Sequence, residues 1–279
     1  AYRCNQTASD NTAFGYQAMH CNTSGHNNVA VGNALCKNIS GLYNVAVGSG
    51  ALSSNTTAHA NVAIGRIALT TNTTGSNNVA IGCCALKSNT TASSNTALGH
   101  DTLKANTTGN SNVAVGSYSL STAITAGNNA AVGHCALYLS TTSENAAFGA
   151  NALRAQTTGI YNVAVGPNAM IKNTTGTRNV SVGNTSLACN TTGSCNTAVG
   201  GMDAGTLPTM WQNTSGNRNT ALGNATLVKN TTGDFNTAVG AKALYASTTS
   251  DANTAVGVEA LLTNTTGANN TAVGNDSLL

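Results

Sequence analysis

Asn230-Thr-Thr-Gly-Asp-Phe-Asn-Thr-Ala-Val-Gly240 decides how the whole chain is read, because close copies of this phrase return along its length, as in Asn213-Thr-Ser-Gly-Asn-Arg-Asn-Thr-Ala-Leu-Gly223. Aligned on the last glycine, the unit falls at Gly15, Gly32, Gly48, Gly65, Gly82, Gly99, Gly116, Gly133, Gly149, Gly166, Gly183, Gly200, Gly223, Gly240, Gly257 and Gly274. Of the fifteen steps between these sixteen units, twelve span 17 residues. Two are one residue short (Gly32 to Gly48 and Gly133 to Gly149), and Gly200 to Gly223 is six longer. A fixed period of this length marks a stack of equivalent coils.

The columns of the repeat carry its chemistry. Four positions before each glycine stands Asn: Asn11, Asn28, Asn44, Asn61, Asn78, Asn95, Asn112, Asn129, Asn145, Asn162, Asn179, Asn196, Asn219, Asn236, Asn253 and Asn270. Two positions before stands Ala, replaced once by Ser181, and the residue just before is large and apolar, such as Phe14, Val31 or Ile64. Leu or Met follows most glycines by four residues, and then comes an Asn-Thr-Thr-Gly turn. A helix would need an apolar stripe at period 3.6 and would avoid two glycines per unit. The Val/Thr-Ala-Val alternation and its β-branched residues instead predict a short strand. Each unit therefore reads as one strand ending at Gly, a bend, a second short strand around Leu, and the polar turn. The fold expected is all-β: a parallel β-solenoid or β-roll of sixteen coils in a single repeat domain over 1–279. At a parallel spacing of about 4.8 Å it would be on the order of 77 Å long. The sixteen Asn are expected to stack as a structural amide ladder at a corner of the coil.

Period-2 alternation puts Ala on the face opposite the residues that flank it. If Val faces the coil interior together with Leu, a stripe of Ala runs along the outside. A small apolar stripe on an outer face suits close approach of another chain. The expected partners are therefore further copies of the same chain, side by side as a trimer or head to tail as a filament. The chain begins and ends part-way through a coil with no atypical terminal repeat. That pattern suits a piece of a longer array or stacking through open coil edges.

Composition narrows the function classes. Only 7% of residues are charged and the net charge is +3, while 41% are apolar. Such a chain offers no basic patch for nucleic acid, and no apolar run long enough to insert in a membrane. Glutamate occurs only at Glu144 and Glu259, and neither a nucleophile elbow nor a phosphate loop is present. No catalytic residue, cofactor or metal is expected, and the chain reads as a structural protein rather than an enzyme.

The cores Asn28-Val-Ala-Val-Gly32 and Asn78-Val-Ala-Ile-Gly82 resemble the head repeats of trimeric autotransporter adhesins. The longer phrase from Asn230 to Gly240 is also similar to repeats of phage-type tail-fibre proteins. The resemblance covers nearly the whole chain. It implies a left-handed parallel β-roll, three chains side by side, and an extracellular place on a cell or virion surface. The 17-residue unit, longer than the shortest adhesin head repeats, and the eight cysteines depart from that pattern. The reading that follows is an extracellular fibre, a shaft or head segment of an appendage, adhesin or filament. The alternative is a tail-fibre segment that binds a cell-surface receptor or glycan.

Where the sequence leaves the repeat, specific function is sought. The insertion at 201–211 holds the one Trp, and Met202, Leu207, Met210 and Trp211 are the candidate contact residues. Cys4 and Cys21, in equivalent positions of successive coils, form a candidate disulfide, as do Cys189 and Cys195 on either side of one turn. Cys83 with His100, beside Cys84 and Asp101, has too few ligands per face for a structural zinc if 83–84 is strand. Asn-x-Ser/Thr sequons at Asn55, Asn72, Asn89, Asn106, Asn173, Asn230 and Asn264 form a column at an outer turn, where a glycan could sit. Ice binding is disfavoured because the Thr-Thr pairs lie in a turn rather than on a flat strand face.

Overall fold

The computed structural model describes residues 6–202 and 205–278. Sixteen three-residue strands occur among them, and no helix. The chain divides into two compact units, Ala1–Ser143 and Glu144–Leu279. The first holds β1 (Thr12–Phe14), β2 (Val29–Val31), β3 (Val45–Val47), β4 (Val62–Ile64), β5 (Val79–Ile81), β6 (Thr96–Leu98), β7 (Val113–Val115) and β8 (Ala130–Val132). The second holds β9 (Ala146–Phe148), β10 (Val163–Val165), β11 (Val180–Val182), β12 (Thr197–Val199), β13 (Thr220–Leu222), β14 (Thr237–Val239), β15 (Thr254–Val256) and β16 (Thr271–Val273). Within each unit successive strands pair in parallel and in register, so that Ala63 lies beside Ala80 and Ala221 beside Ala238. Each unit is a parallel β-solenoid.

The coil from β4 to β5 shows how the sequence makes this shape. Gly65 ends the strand at φ +131, a conformation that side chains resist. Residues 66–71 then form a turn, in which Ile67 (φ +53) and Leu69 (φ +48) are left-handed. The second strand expected around Leu is therefore absent. Two left-handed residues with one between them cannot lie in an extended chain, and they tighten the bend so that Leu turns inward. The local cost, about 1–2 kcal/mol per such residue, is offset by bonds to neighbouring coils. Ile67 N–H donates to the Ser49 carbonyl at 2.9 Å and Leu69 N–H to that of Ala85 at 3.0 Å. Leu69 also accepts from Asn72 N–H at 3.2 Å, closing the turn.

The interior is the reverse of the expected one. The alanines at the middle of the strands from Ala30 to Ala272 are at most 3% exposed, while Val62 and Ile64 on either side of Ala63 are half-buried and exposed. Alternation holds, but its phase is opposite: Ala points in and the β-branched residues point out. A coil of 17 residues with three-residue strands is too narrow for a second large side chain facing Leu, so Ala fills the space. The core of a coil is then one Leu or Met, two small residues and two Asn, as with Ala63, Ala68, Leu69, Asn72 and Asn78, all fully buried.

Candidate functional site

Burying two amides per coil requires every polar atom to find a partner. Asn78 meets that demand: its N–H and Nδ2 both donate to Asn61 Oδ1, at 3.0 and 3.1 Å, and Nδ2 donates again to the Ala92 carbonyl at 2.9 Å. Asn95 then donates to Asn78 Oδ1 in the same way, at 3.0 and 3.3 Å. The same bonds link Asn162 to Asn145 and Asn236 to Asn219 in the second unit.

A second ladder runs through the Asn of the Asn-Thr-Thr-Gly phrase, which therefore does more than close a polar turn. Asn89 Nδ2 donates to Asn72 Oδ1 at 2.8 Å and to the Ala92 carbonyl at 3.0 Å. Asn55, Asn72, Asn89, Asn106, Asn173 and Asn230 are consequently 0% exposed. The sequon column therefore lies inside the coil, and a glycan on these amides would require the coil to open. Only Asn264 of the set is partly exposed.

The outward strand positions form a surface that recurs from strand to strand. Ile64, Leu98 and Val113 are 38%, 44% and 43% exposed. No residue of the sixteen strands is charged. In the second unit one outward column is threonine, with Thr197, Thr220, Thr237, Thr254 and Thr271 aligned rung by rung beside a column of Val and Leu. The Thr-Thr pairs lie outside the strands, as expected, but these single threonines form a strand column of their own.

A further exposed column, missed in the sequence, lies one residue before each ladder Asn. It is left-handed at Tyr161, Arg178, Arg218 and Phe235. Arg178 lies over the Tyr161 ring at 5.5 Å and Arg218 over Phe235 at 5.2 Å. The signal was present as Tyr, Arg and Phe recurring at one register of the repeat.

The insertion separates into two parts. Met210 is fully buried and takes the Leu position of its coil, donating its N–H to the Thr226 carbonyl at 3.0 Å. It is a core residue, so the expectation of a contact role for it is corrected. Trp211 is half-buried one position further on, and its carbonyl accepts from Cys189 N–H at 3.2 Å. Met202 is 53% exposed. Thr206 and Leu207 line a cleft of about 420 Å³ together with Tyr245, Lys242 and Leu262, and Trp211 takes no part in it. Lys242 Nζ is bound to Glu259 Oε1 at 2.7 Å, which holds the ammonium above its ordinary pKa.

Among the thiols, Cys4 lies outside the described residues. Cys21, Cys189 and Cys195 are free. Cys21 touches His20 Nδ1 at 3.3 Å and Cys135 touches His134 Nε2 at 3.6 Å. Among the described residues no group of three or more His, Cys, Asp or Glu is placed to hold a metal. Cys83 and Cys84 do not point to opposite faces. They sit in the turn after Gly82, with their sulfurs 3.3 Å apart. No helix of the described residues is long and apolar enough to cross a membrane.

Compared with known proteins, the chain matches no family model, no curated protein and no solved structure.

Proposed function

We propose that the chain is a structural segment of an extracellular fibre, of the kind its adhesin-like and tail-fibre-like repeats suggest, and that copies associate side by side through the outward strand face. The observation that carries this reading is the uncharged, largely apolar pair of columns flanking the buried alanines, as at Val62, Ile64, Val79 and Ile81. An apolar strip repeated on every coil is a surface that association covers. Strand residues free of charge also lack the usual guard against edge or face contacts between sheets. A trimer is the form that the resemblance favours. The chain has no role in this reading as an enzyme.

Sedimentation of the purified protein tests the proposal. Wild type should sediment as a defined oligomer. Val62→Glu with Val79→Glu, both at outward positions, should release monomers with an unchanged circular-dichroism spectrum. A wild-type monomer overturns it. A monomer with thermal hysteresis would assign the same face to ordering water, which the threonine column would then explain.

A second reading, binding of a receptor or glycan, is supported by the cleft between Leu207 and Tyr245 rather than by Trp211. An aromatic ring beside an apolar wall and a Lys–Glu pair is a surface that suits a sugar ring. Tyr245→Ala should then abolish binding on a glycan array without altering sedimentation, and unchanged binding would reject the reading.

A further inference from the structure

Cys83 and Cys84 are the one pair of adjacent cysteines in the chain. Adjacent side chains in a strand would diverge, but here the left-handed Cys84 (φ +62) turns both sulfurs to one side, 3.3 Å apart. The turn is held at both residues by neighbouring coils: Cys84 N–H donates to the Arg66 carbonyl at 3.1 Å, and the Cys83 carbonyl accepts from Asp101 N–H at 3.0 Å.

The two thiols differ in surroundings. Cys83 is partly exposed and has Arg66 Nη2 3.6 Å from its sulfur. Cys84 is 7% exposed, and the Asp101 carboxylate lies against its thiol. Asp101 is itself 7% exposed. Its Oδ2 is held by Lys104 Nζ at 3.1 Å, and its Oδ1 is buried without a hydrogen-bond partner. Nothing in the stacking of the coils requires two thiols, a carboxylate and two cations in one place.

We infer that Cys83 and Cys84 form a thiol–disulfide exchange site, which a low-molecular-weight disulfide such as oxidised glutathione closes to a disulfide between the two residues. The Cys83 thiolate attacks one sulfur of the small disulfide. It forms a mixed disulfide and releases one glutathione thiolate, which takes up the proton that Cys83 gave to solvent. Cys84 sulfur, already in contact, then attacks Cys83 sulfur and releases the second glutathione, while the Cys84 proton passes through solvent to the leaving thiolate. The two cysteines lose two electrons and two protons, and the small disulfide gains both as two thiols. The sulfurs need to close from 3.3 Å to a bond of about 2.05 Å; with adjacent Cα atoms about 3.8 Å apart, closer than in an ordinary disulfide, the bond is strained and readily reduced, as an exchange site requires. This site is independent of the fibre reading.

The full chain, reduced and then exposed to oxidised glutathione, provides the test. Trypsin cleavage after Arg66 and Lys87 places both cysteines, and no other, on one peptide. In wild type this peptide should be lighter by two hydrogens and resist alkylation until a reductant is added. In Cys84→Ser it should instead carry one glutathione on Cys83, and in Cys83→Ser it should remain unmodified. The inference is overturned if the wild-type peptide keeps a stable glutathione adduct or keeps two free thiols. The wild-type result stands without either variant, so a variant that folds poorly leaves the test intact.

Discussion

Asn230 donates to Asn213 Oδ1 at 2.8 Å, yet its own Oδ1 is buried without a partner, because the next coil carries Ser247 at that rung. The Ser247 hydroxyl pairs instead with that of Ser250. A buried acceptor left open costs about 1–3 kcal/mol. Ser247→Asn combined with Ser250→Gly restores the phrase found in the other coils, and should stabilise the second unit by about 1–2 kcal/mol in urea unfolding. Ser247→Ala should bring no such gain.

The inward phase of the strands gives a sharper test. Ala80 is fully buried, whereas Val79 is half-buried on the outward side. Ala80→Leu overfills a narrow coil and should cost at least about 3 kcal/mol. Val79→Leu should change stability by less than about 1 kcal/mol. A larger loss at Val79 than at Ala80 would mean that the strand faces the other way.

Gly65 is irreplaceable for two reasons at once. Its φ is +131, and a Cβ there would stand 2.6 Å from the Gly82 carbonyl oxygen of the next coil. Gly65→Ala should therefore destabilise by several times the roughly 1 kcal/mol that separates these residues in ordinary structure. Loss of the cooperative thermal transition would be the readout.

The exposed Ala252, at φ +55, carries the opposite expectation. Glycine adopts this conformation without steric cost, so Ala252→Gly should raise stability by about 1 kcal/mol despite the added freedom of the unfolded chain. Chemical denaturation of the two proteins side by side measures it.

Burial first, then the Cys83 thiol and the Asp101 carboxylate, push the Cys84 thiol up from 9.0 to about 11. The folded chain thus holds this proton more tightly than the unfolded chain does. The associated stability is fully present below pH 9 and is lost as the pH rises towards 11. The difference in urea midpoint between wild type and Cys84→Ser should shift against wild type across that window and stay constant below it.

Much of this architecture was legible in the sequence. The coil period, the strand at each Val/Thr-Ala-Val and the end of each strand at Gly follow from residue types at fixed offsets. Four features depend on the closed coil and not on residue type. Alternation says that Ala63 and Ile64 face opposite ways, but not which of them faces in, and only the width of the closed coil decides that. The Asn of Asn-Thr-Thr-Gly has the same composition whether it caps an exposed turn or lines the interior. Leu69 and Cys84 belong to types that rarely adopt left-handed backbone, so their alignment across coils, not their identity, was the signal for the bend. The insertion was found, but its last residues merge into the coil, and without the stack Met210 could not be told from the loop before it.

The lengthened coil shows what the paired ladders make possible. Across its 23 residues, Asn219 N–H still reaches Asn196 Oδ1 at 3.0 Å and Asn213 Nδ2 still reaches Asn190 Oδ1 at 2.8 Å. This coil is clamped at two rungs, and the arc between its strand and Met210 takes up the extra length. Coils are therefore counted by their amides and not by their residues, so variation can accumulate in one arc while the frame that presents it stays in step.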